Sequence, residues 1–171
     1  MGNSYIYTKV ERLVKRFKTR DPFELLDCMN VVVGETSNYK NLKGYCFMSC
    51  QTIYVMISSF LSEEEQRIVA AHELGHIILH RSQLKMAPMK DDVLYNMMDS
   101  AEYEANLFAA DLLLEDDDVA EMSKNEDMNY FGFCSSLNAS PDLMSFKLYS
   151  LMKRGQAYHM PMEIQSNFLA K

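Results

Sequence analysis

Val69-Ala70-Ala71-His72-Glu73-Leu74-Gly75-His76-Ile77-Ile78-Leu79 is the stretch that decides the reading of this chain. At its centre stands an H-E-x-x-H pattern. On a helix, residues four apart lie on one face. His72 and His76 can then reach one metal ion, and Glu73 can reach a water on that ion. Two imidazole ligands with a carboxylate as general base are the donor set of metal-assisted hydrolysis in zincins. Outside the motif's own residues the stretch is apolar all round, which predicts a buried helix. Two His and a Glu inside such a helix need partners, because unpaired buried polar groups cost free energy. A metal satisfies them. The competing reading is a pair of hydrogen-bonded core histidines with Glu73 in an ion pair.

Upstream of the motif, Ser62-Glu63-Glu64-Glu65 reads as a capping box that opens this helix, which the pattern carries to about His80 or Arg81. Further back, residues 4–18 predict a helix with Ile6, Val10, Leu13, Val14 and Phe17 on one face. Asp21-Pro22 starts a second, short helix, with Asp as cap and Pro in the first turn. Strands are predicted over 31–33, 45–50 and 52–57, the last two joined or continued near Gln51, with turn residues over 38–44. Downstream, residues 100–114 read as a helix capped at Asp99 or Ser100. Residues 126–137 and 140–154 read as two more helices, joined at Asn138-Ala139.

The order of elements gives an expected fold class of α+β: a small N-terminal β-sheet packed on the active-site helix, followed by a helical C-terminal part. No repeat, low-complexity segment or long linker divides the chain. A single domain over 1–171 is therefore expected, with helices and the small sheet in 1–60, the metal-site helices in 61–119 and a helical C-terminal subdomain in 120–171.

A zinc enzyme needs a third protein ligand and keeps one position open. The helix over 100–114 offers two. Glu102 shares its face with Asn106, Ala109 and Leu113; Glu104 shares its face with Asp111 and Glu115. The second stripe is acidic and reads as solvated. The first is small or apolar and reads as buried, where a lone Glu and Asn need a reason. Glu102 as ligand, with Asn106 one turn later bonding a ligand His, supplies one. Against this stands the simpler reading that Glu102 sits in a first helical turn, favoured by the dipole.

Composition narrows the function. The 171 residues are 48% hydrophobic and 24% charged, enough for a substantial core. A net charge of −7 argues against nucleic acid or an anionic membrane as a direct partner. Residues 1–20 are polar and basic, without the apolar segment of a signal peptide, and no apolar run reaches the 18 or so residues of a membrane span. A cytoplasmic protein is expected. Its four cysteines form no C-x-x-C pair and read as free thiols. Cys46 and Cys50 fall on one face of the predicted strand, where buried thiols are favoured over a metal pair.

His72-Glu73-Leu74-Gly75-His76-Ile77-Ile78-Leu79-His80, followed by Glu102-Tyr103-Glu104-Ala105-Asn106-Leu107-Phe108-Ala109-Ala110-Asp111-Leu112-Leu113, resembles the ImmA/IrrE family of bacterial metallopeptidases. Those proteins carry H-E-L-G-H-x-x-L-H and then E-x-E-A-N-x-F-A-A-x-L-L. The resemblance spans roughly residues 42–119 and weakens toward both ends. It implies a minimal zincin fold and a gluzincin-type site, with His72, His76 and Glu102 as ligands of one Zn2+ and Glu73 as base. It also implies regulatory proteolysis, often of a helix-turn-helix repressor. The family's second motif often ends L-L-M-P; here it runs Leu113-Leu114-Glu115-Asp116, which changes the exit from the helix and not a ligand.

Other residues read more plainly. His80 continues the face of His72 and His76. Without the spacing and the Gly turn of the three-His zincins, it reads as a helix-end residue favoured by the dipole. His159 reads as a lone tail histidine. Residues 54–57 precede the metal helix and read as the rim strand that pairs with substrate backbone, or as an ordinary sheet strand. Residues 115–118 read as a solvated acidic helix start. The last two helices resemble a helix-turn-helix in outline. With only Lys147, Lys153 and Arg154 as basic residues on the second, scaffold or docking is favoured over DNA binding.

The expected mechanism has Glu73 take a proton from a metal-activated water that attacks a peptide carbonyl, then pass it to the leaving amine. Tyr45, Tyr95, Tyr103 and His159 stay open as the additional oxyanion donor. The expected function is thus a zinc endopeptidase acting on a protein substrate. A non-catalytic, metal-containing regulator that binds a partner is the alternative; an intact Glu73 speaks for catalysis, since binding alone needs no base.

Overall fold

Two helices, the second of them short, lead into the sheet. Helix α1 (Gly2–Phe17) and helix α2 (Pro22–Cys28) precede strands β1 (Val32–Thr36), β2 (Gly44–Ser49) and β3 (Thr52–Ser58). Helix α3 (Glu63–Leu79) follows, then strand β4 (Met89–Asp91) and helices α4 (Ser100–Leu113), α5 (Asp116–Met122), α6 (Tyr130–Ser136) and α7 (Pro141–Lys153). The computed structural model of the chain describes residues 2–37, 43–85, 89–91, 100–124 and 129–158. The fold is α+β, as expected.

Local chemistry places the element ends. Asp21 caps α2, its side chain accepting from the Phe23 and Glu24 amides. Ser62 and Glu65 form the reciprocal capping box of α3, and His80 is its C-cap. Ser140 caps α7 by accepting from the Leu143 amide, with Pro141 in the first turn. The predicted residues 38–42 of the first turn, the Asp99 cap and the 126–128 start of the sixth helix lie outside the described residues.

The sheet order is β1-β3-β2-β4, with β1 parallel to β3 and β2 antiparallel to both β3 and β4. Strand β3 therefore hydrogen-bonds on both sides. This corrects the reading of residues 54–57 as a strand free to pair with substrate: the outer strands are β1 and β4. Strand β4 was not anticipated. The β2–β3 hairpin turns through Cys50 and Gln51, both at positive φ (48° and 65°). A two-residue loop of this hand matches the twist of the flanking strands. Cys50 therefore leaves the face of Cys46: Cys46 is buried and Cys50 exposed, although all four cysteines are free.

Ile53, Val55 and Ile57 alternate toward α3 and are buried, as is Cys46 of β2. On the opposite face Tyr45, Phe47 and Tyr54 stack, with centroids 6.0 and 5.0 Å apart. Helix α3 is the centre of the molecule, the sheet on one side and α4 on the other. Every residue from Val69 to Ile77 is buried. Helix α4 packs in turn on α1 and α7.

Close approach of α3 to α4 depends on Gly75. A Cβ there would stand 3.1 Å from Ala105 Cα, 3.2 Å from its carbonyl oxygen and 3.2 Å from Phe108 Cβ. Alanine favours a helix by about 1 kcal/mol over glycine, but overpacking costs about 1–3 kcal/mol, and here the obstacle is backbone. Gly75→Ala is expected to lower the urea midpoint. An unchanged or higher midpoint would show that the two helices have room to spare.

A charged cluster lies where α1, α4, α5 and α7 meet. Lys147, 0% exposed, donates to Asp111 Oδ1 at 3.1 Å and Asp116 Oδ1 at 2.7 Å. Ser150 Oγ donates to Asp111 Oδ2 at 2.8 Å, and Arg154 forks onto Asp116 while lying over the Tyr7 ring at 3.7 Å. Two expectations are corrected here. The Glu104–Asp111–Glu115 stripe is not uniformly solvated, because α7 covers Asp111, which is 1% exposed. The acidic start of α5 is not simply solvated, because Asp116 is held by Lys147 and Arg154. Burial pushes the Asp116 carboxyl up, but the hydrogen bonds from those two cations outweigh it and hold it well below its usual range. Lys147 and Arg154, two of the three basic residues read on this last helix, are thus committed to Asp111 and Asp116. No helix among the described residues is long and apolar enough to cross a membrane.

Candidate metal centre

The antiparallel pairing of α3 and α4 brings three donors to one point. His72 Nε2 lies 3.0 Å from His76 Nε2 and 3.1 Å from Glu102 Oε2, and His76 Nε2 lies 3.2 Å from Glu102 Oε1. A tetrahedral site with bonds of about 2.0–2.1 Å spaces its ligand atoms about 3.3 Å apart, so the triangle has the right size for a small divalent ion. Both histidines are buried, and the Glu102 side chain is 13% exposed. His72, His76 and Glu102 can together hold one metal ion.

The outer nitrogens strengthen that fit. Asn106 Oδ1 lies 2.9 Å from His72 Nδ1. A carboxamide oxygen only accepts, so His72 carries its proton on Nδ1 and turns a lone pair on Nε2 toward the triad. Lone pairs from two imidazoles and a carboxylate converging at 3.0–3.2 Å repel unless a cation lies between them. Burial pushes the Glu102 carboxyl up, but the neighbouring imidazoles of His72 and His76 outweigh it and hold it at about 2. Burial likewise lowers His76, opposed by Glu102, so the ring favours the neutral form that a metal requires.

Glu73 follows His72 by one residue, about 100° around the helix, and so lies on the flank of the face that carries His72 and His76. It is buried beside β2: a Cβ on Gly44 would lie 3.3 Å from Glu73 Oε1 and would overlap Val69 Cγ1. The absent side chain at Gly44 thus makes room for the carboxylate next to the outer strand pair β2–β4.

Comparison with known sequences places the chain in a family. The family model for the IrrE N-terminal-like domain, peptidase M78, matches residues 27–133. The chain belongs to this ImmA/IrrE family. The match extends beyond the 42–119 of the motif resemblance, into α2 and β1 and on to α6. The chain is similar to an uncharacterized immunity region protein 2 of Bacillus phage phi105, 35% identical over 121 residues, covering 71% of this chain and 75% of that protein. It is also similar to the metallopeptidase ImmA of Bacillus subtilis strain 168, 26% identical over 108 residues, covering 63% of this chain and 62% of that one. Membership in the ImmA/IrrE family supports a metallopeptidase-type function and implies a metal ion.

The remaining sequence candidates fall differently. Tyr45 stands on the sheet face turned away from α3, stacked with Phe47, and is not placed at the triad. Tyr103 turns its ring onto Phe146 and Tyr149 of α7. Tyr95 and His159 lie outside the described residues. His80 is the C-cap of α3 as read, but its ring is also bonded to His76 and Glu104. Sequence reasoning missed that link, although the i, i+4 spacing of His76 and His80 was its signal.

Proposed function

We propose that the protein is a zinc-dependent endopeptidase that cleaves a peptide bond in a protein substrate, with His72, His76 and Glu102 holding the metal and Glu73 as the base. The observation that carries this reading is the triangle of donors at 3.0–3.2 Å beside a buried Glu73. When bound, the metal supplies Lewis-acid polarisation of the scissile carbonyl and lowers the pKa of water. Asn106 holds the His72 ring so that Nε2 faces the site. Glu73 takes a proton from the attacking water and delivers it to the leaving amine.

The substrate class we infer is a helix-turn-helix repressor, and the role regulatory proteolysis in the cytoplasm. The family resemblance supports this, and so does a relative whose name places it in a phage immunity region. The acidic chain, with its net charge of −7, favours a protein over DNA as the direct partner. The test is to incubate zinc-loaded protein with purified helix-turn-helix repressors and with an unfolded general substrate, and to read cleavage by mass spectrometry. Cleavage at discrete sites in a repressor, abolished by a chelator and restored by zinc, is the expected result. Cleavage insensitive to the chelator would overturn the metal mechanism. Zinc-loaded protein that binds a repressor without cutting it would favour the non-catalytic regulator.

A further inference from the structure

His80 is buried yet plays no part in the proposed chemistry. Its backbone N–H donates to the His76 carbonyl at 2.8 Å, closing α3. Its ring stands behind the ring of His76, on the side away from the triad. His80 Nδ1 lies 3.3 Å from His76 Nδ1, and His80 Nε2 lies 3.0 Å from Glu104 Oε2. The Glu104 side chain is 47% exposed, so the row of three groups runs from the buried donor triangle to solvent.

Hydrogen-bond direction along that row is fixed by its outer end. An ionised carboxylate only accepts, so His80 carries its proton on Nε2. A neutral His80 then offers a lone pair on Nδ1. His76 must meet that lone pair with Nδ1–H, which leaves the His76 Nε2 lone pair facing His72 and Glu102. His72 reaches the same state through one neutral carboxamide, that of Asn106. The two histidines of the motif are thus oriented by different devices. One is internal and uncharged. The other is a relay through a second imidazole to an anionic group at the surface, an extended form of the carboxylate–histidine–metal arrangement.

We propose that His80 and Glu104 are positioning residues that select the metal-binding tautomer of His76. The proposal rests on the metal-site reading above. It gives Glu104 a role distinct from that of Glu102: Glu102 donates to the ion, and Glu104 sets the ring that also donates. It also predicts which replacements are tolerated. An Asn at 80 carries an acceptor oxygen close to the position of Nδ1 and can still receive the His76 proton. An Ala cannot.

The test is zinc affinity by chelator competition, with apoprotein melting temperature measured in parallel, for wild type and for His80→Ala, His80→Asn, Glu104→Ala and His76→Ala. Wild type is expected to bind one zinc and His76→Ala to lose it. His80→Ala should bind about 10- to 100-fold more weakly, Glu104→Ala more weakly by a smaller factor, and His80→Asn close to wild type. The cobalt(II) absorption spectrum of His80→Ala should also change, because the orientation of one ligand ring is no longer fixed. Wild-type affinity in His80→Ala, with His76→Ala inactive in binding, would overturn this proposal and leave the metal site standing. Equal weakening in His80→Ala and His80→Asn, tracking a loss of apoprotein stability, would also overturn it, since His80 would then be only a helix cap. A wild type that binds no zinc would overturn the metal-site reading itself.

Discussion

Glu73→Gln is expected to retain the metal and lose about 10²- to 10⁴-fold in the rate of peptide cleavage, the usual contribution of a positioned general base. The amide has the shape of the carboxylate and can occupy the space that Gly44 leaves beside β2. It cannot take a proton at neutral pH. The three donors, His72, His76 and Glu102, are untouched, so metal content stays at the wild-type value. Burying a neutral amide in place of an ionisable group costs less, so stability should hold or rise. Rates on any peptide the wild type cleaves, with metal measured on the same sample, test both halves. A variant that cleaves at the wild-type rate would remove Glu73 from the mechanism.

Asp111→Ala carries the largest expected cost in stability, about 3–5 kcal/mol, because it breaks a buried ion pair from one side. Lys147 is 0% exposed and would keep only Asp116, while the Ser150 hydroxyl would lose its acceptor. Burial alone pushes the Asp111 carboxyl up, and the cations Lys147 and Arg154 oppose it. At roughly 2–4 °C per kcal/mol for a chain of this size, the melting temperature should fall by about 10 °C. Replacing both partners with apolar residues, Asp111→Leu with Lys147→Met, should recover most of that loss, since no unpaired charge remains. A single variant within about 1 kcal/mol of wild type would show that water reaches Lys147. Asp111 shares α4 with Glu102 and Asn106, so this cluster anchors the helix that presents both to α3.

These residues also show where reading a sequence succeeds and stops. The capping box at Ser62, the cap at Asp21 and the buried run of α3 were legible because their causes are local. The faces of α4 were half legible. Periodicity separated Glu102 and Asn106 from Glu104 and Asp111, and the fold does set Glu102 and Asn106 beside His72. Periodicity says which residues share a stripe, not what packs on it. Asp111 was read as solvated because its partner, Lys147, comes 36 residues later on α7. His80 was read as a helix end for the same reason: its bond to Glu104 crosses between two helices. Strand β4 is three residues long and carries too little pattern to stand out. The hairpin at Cys50-Gln51 lacks the Asn-Gly or Asp-Gly signal of its turn class.

The most direct test is elemental analysis of the purified protein after zinc is supplied, for wild type, His76→Ala and Glu102→Ala. A donor triangle of two imidazoles and one carboxylate predicts about one zinc per wild-type chain, lost in both variants while their folds persist. A wild type without metal, or a Glu102→Ala variant that keeps its zinc, would contradict it.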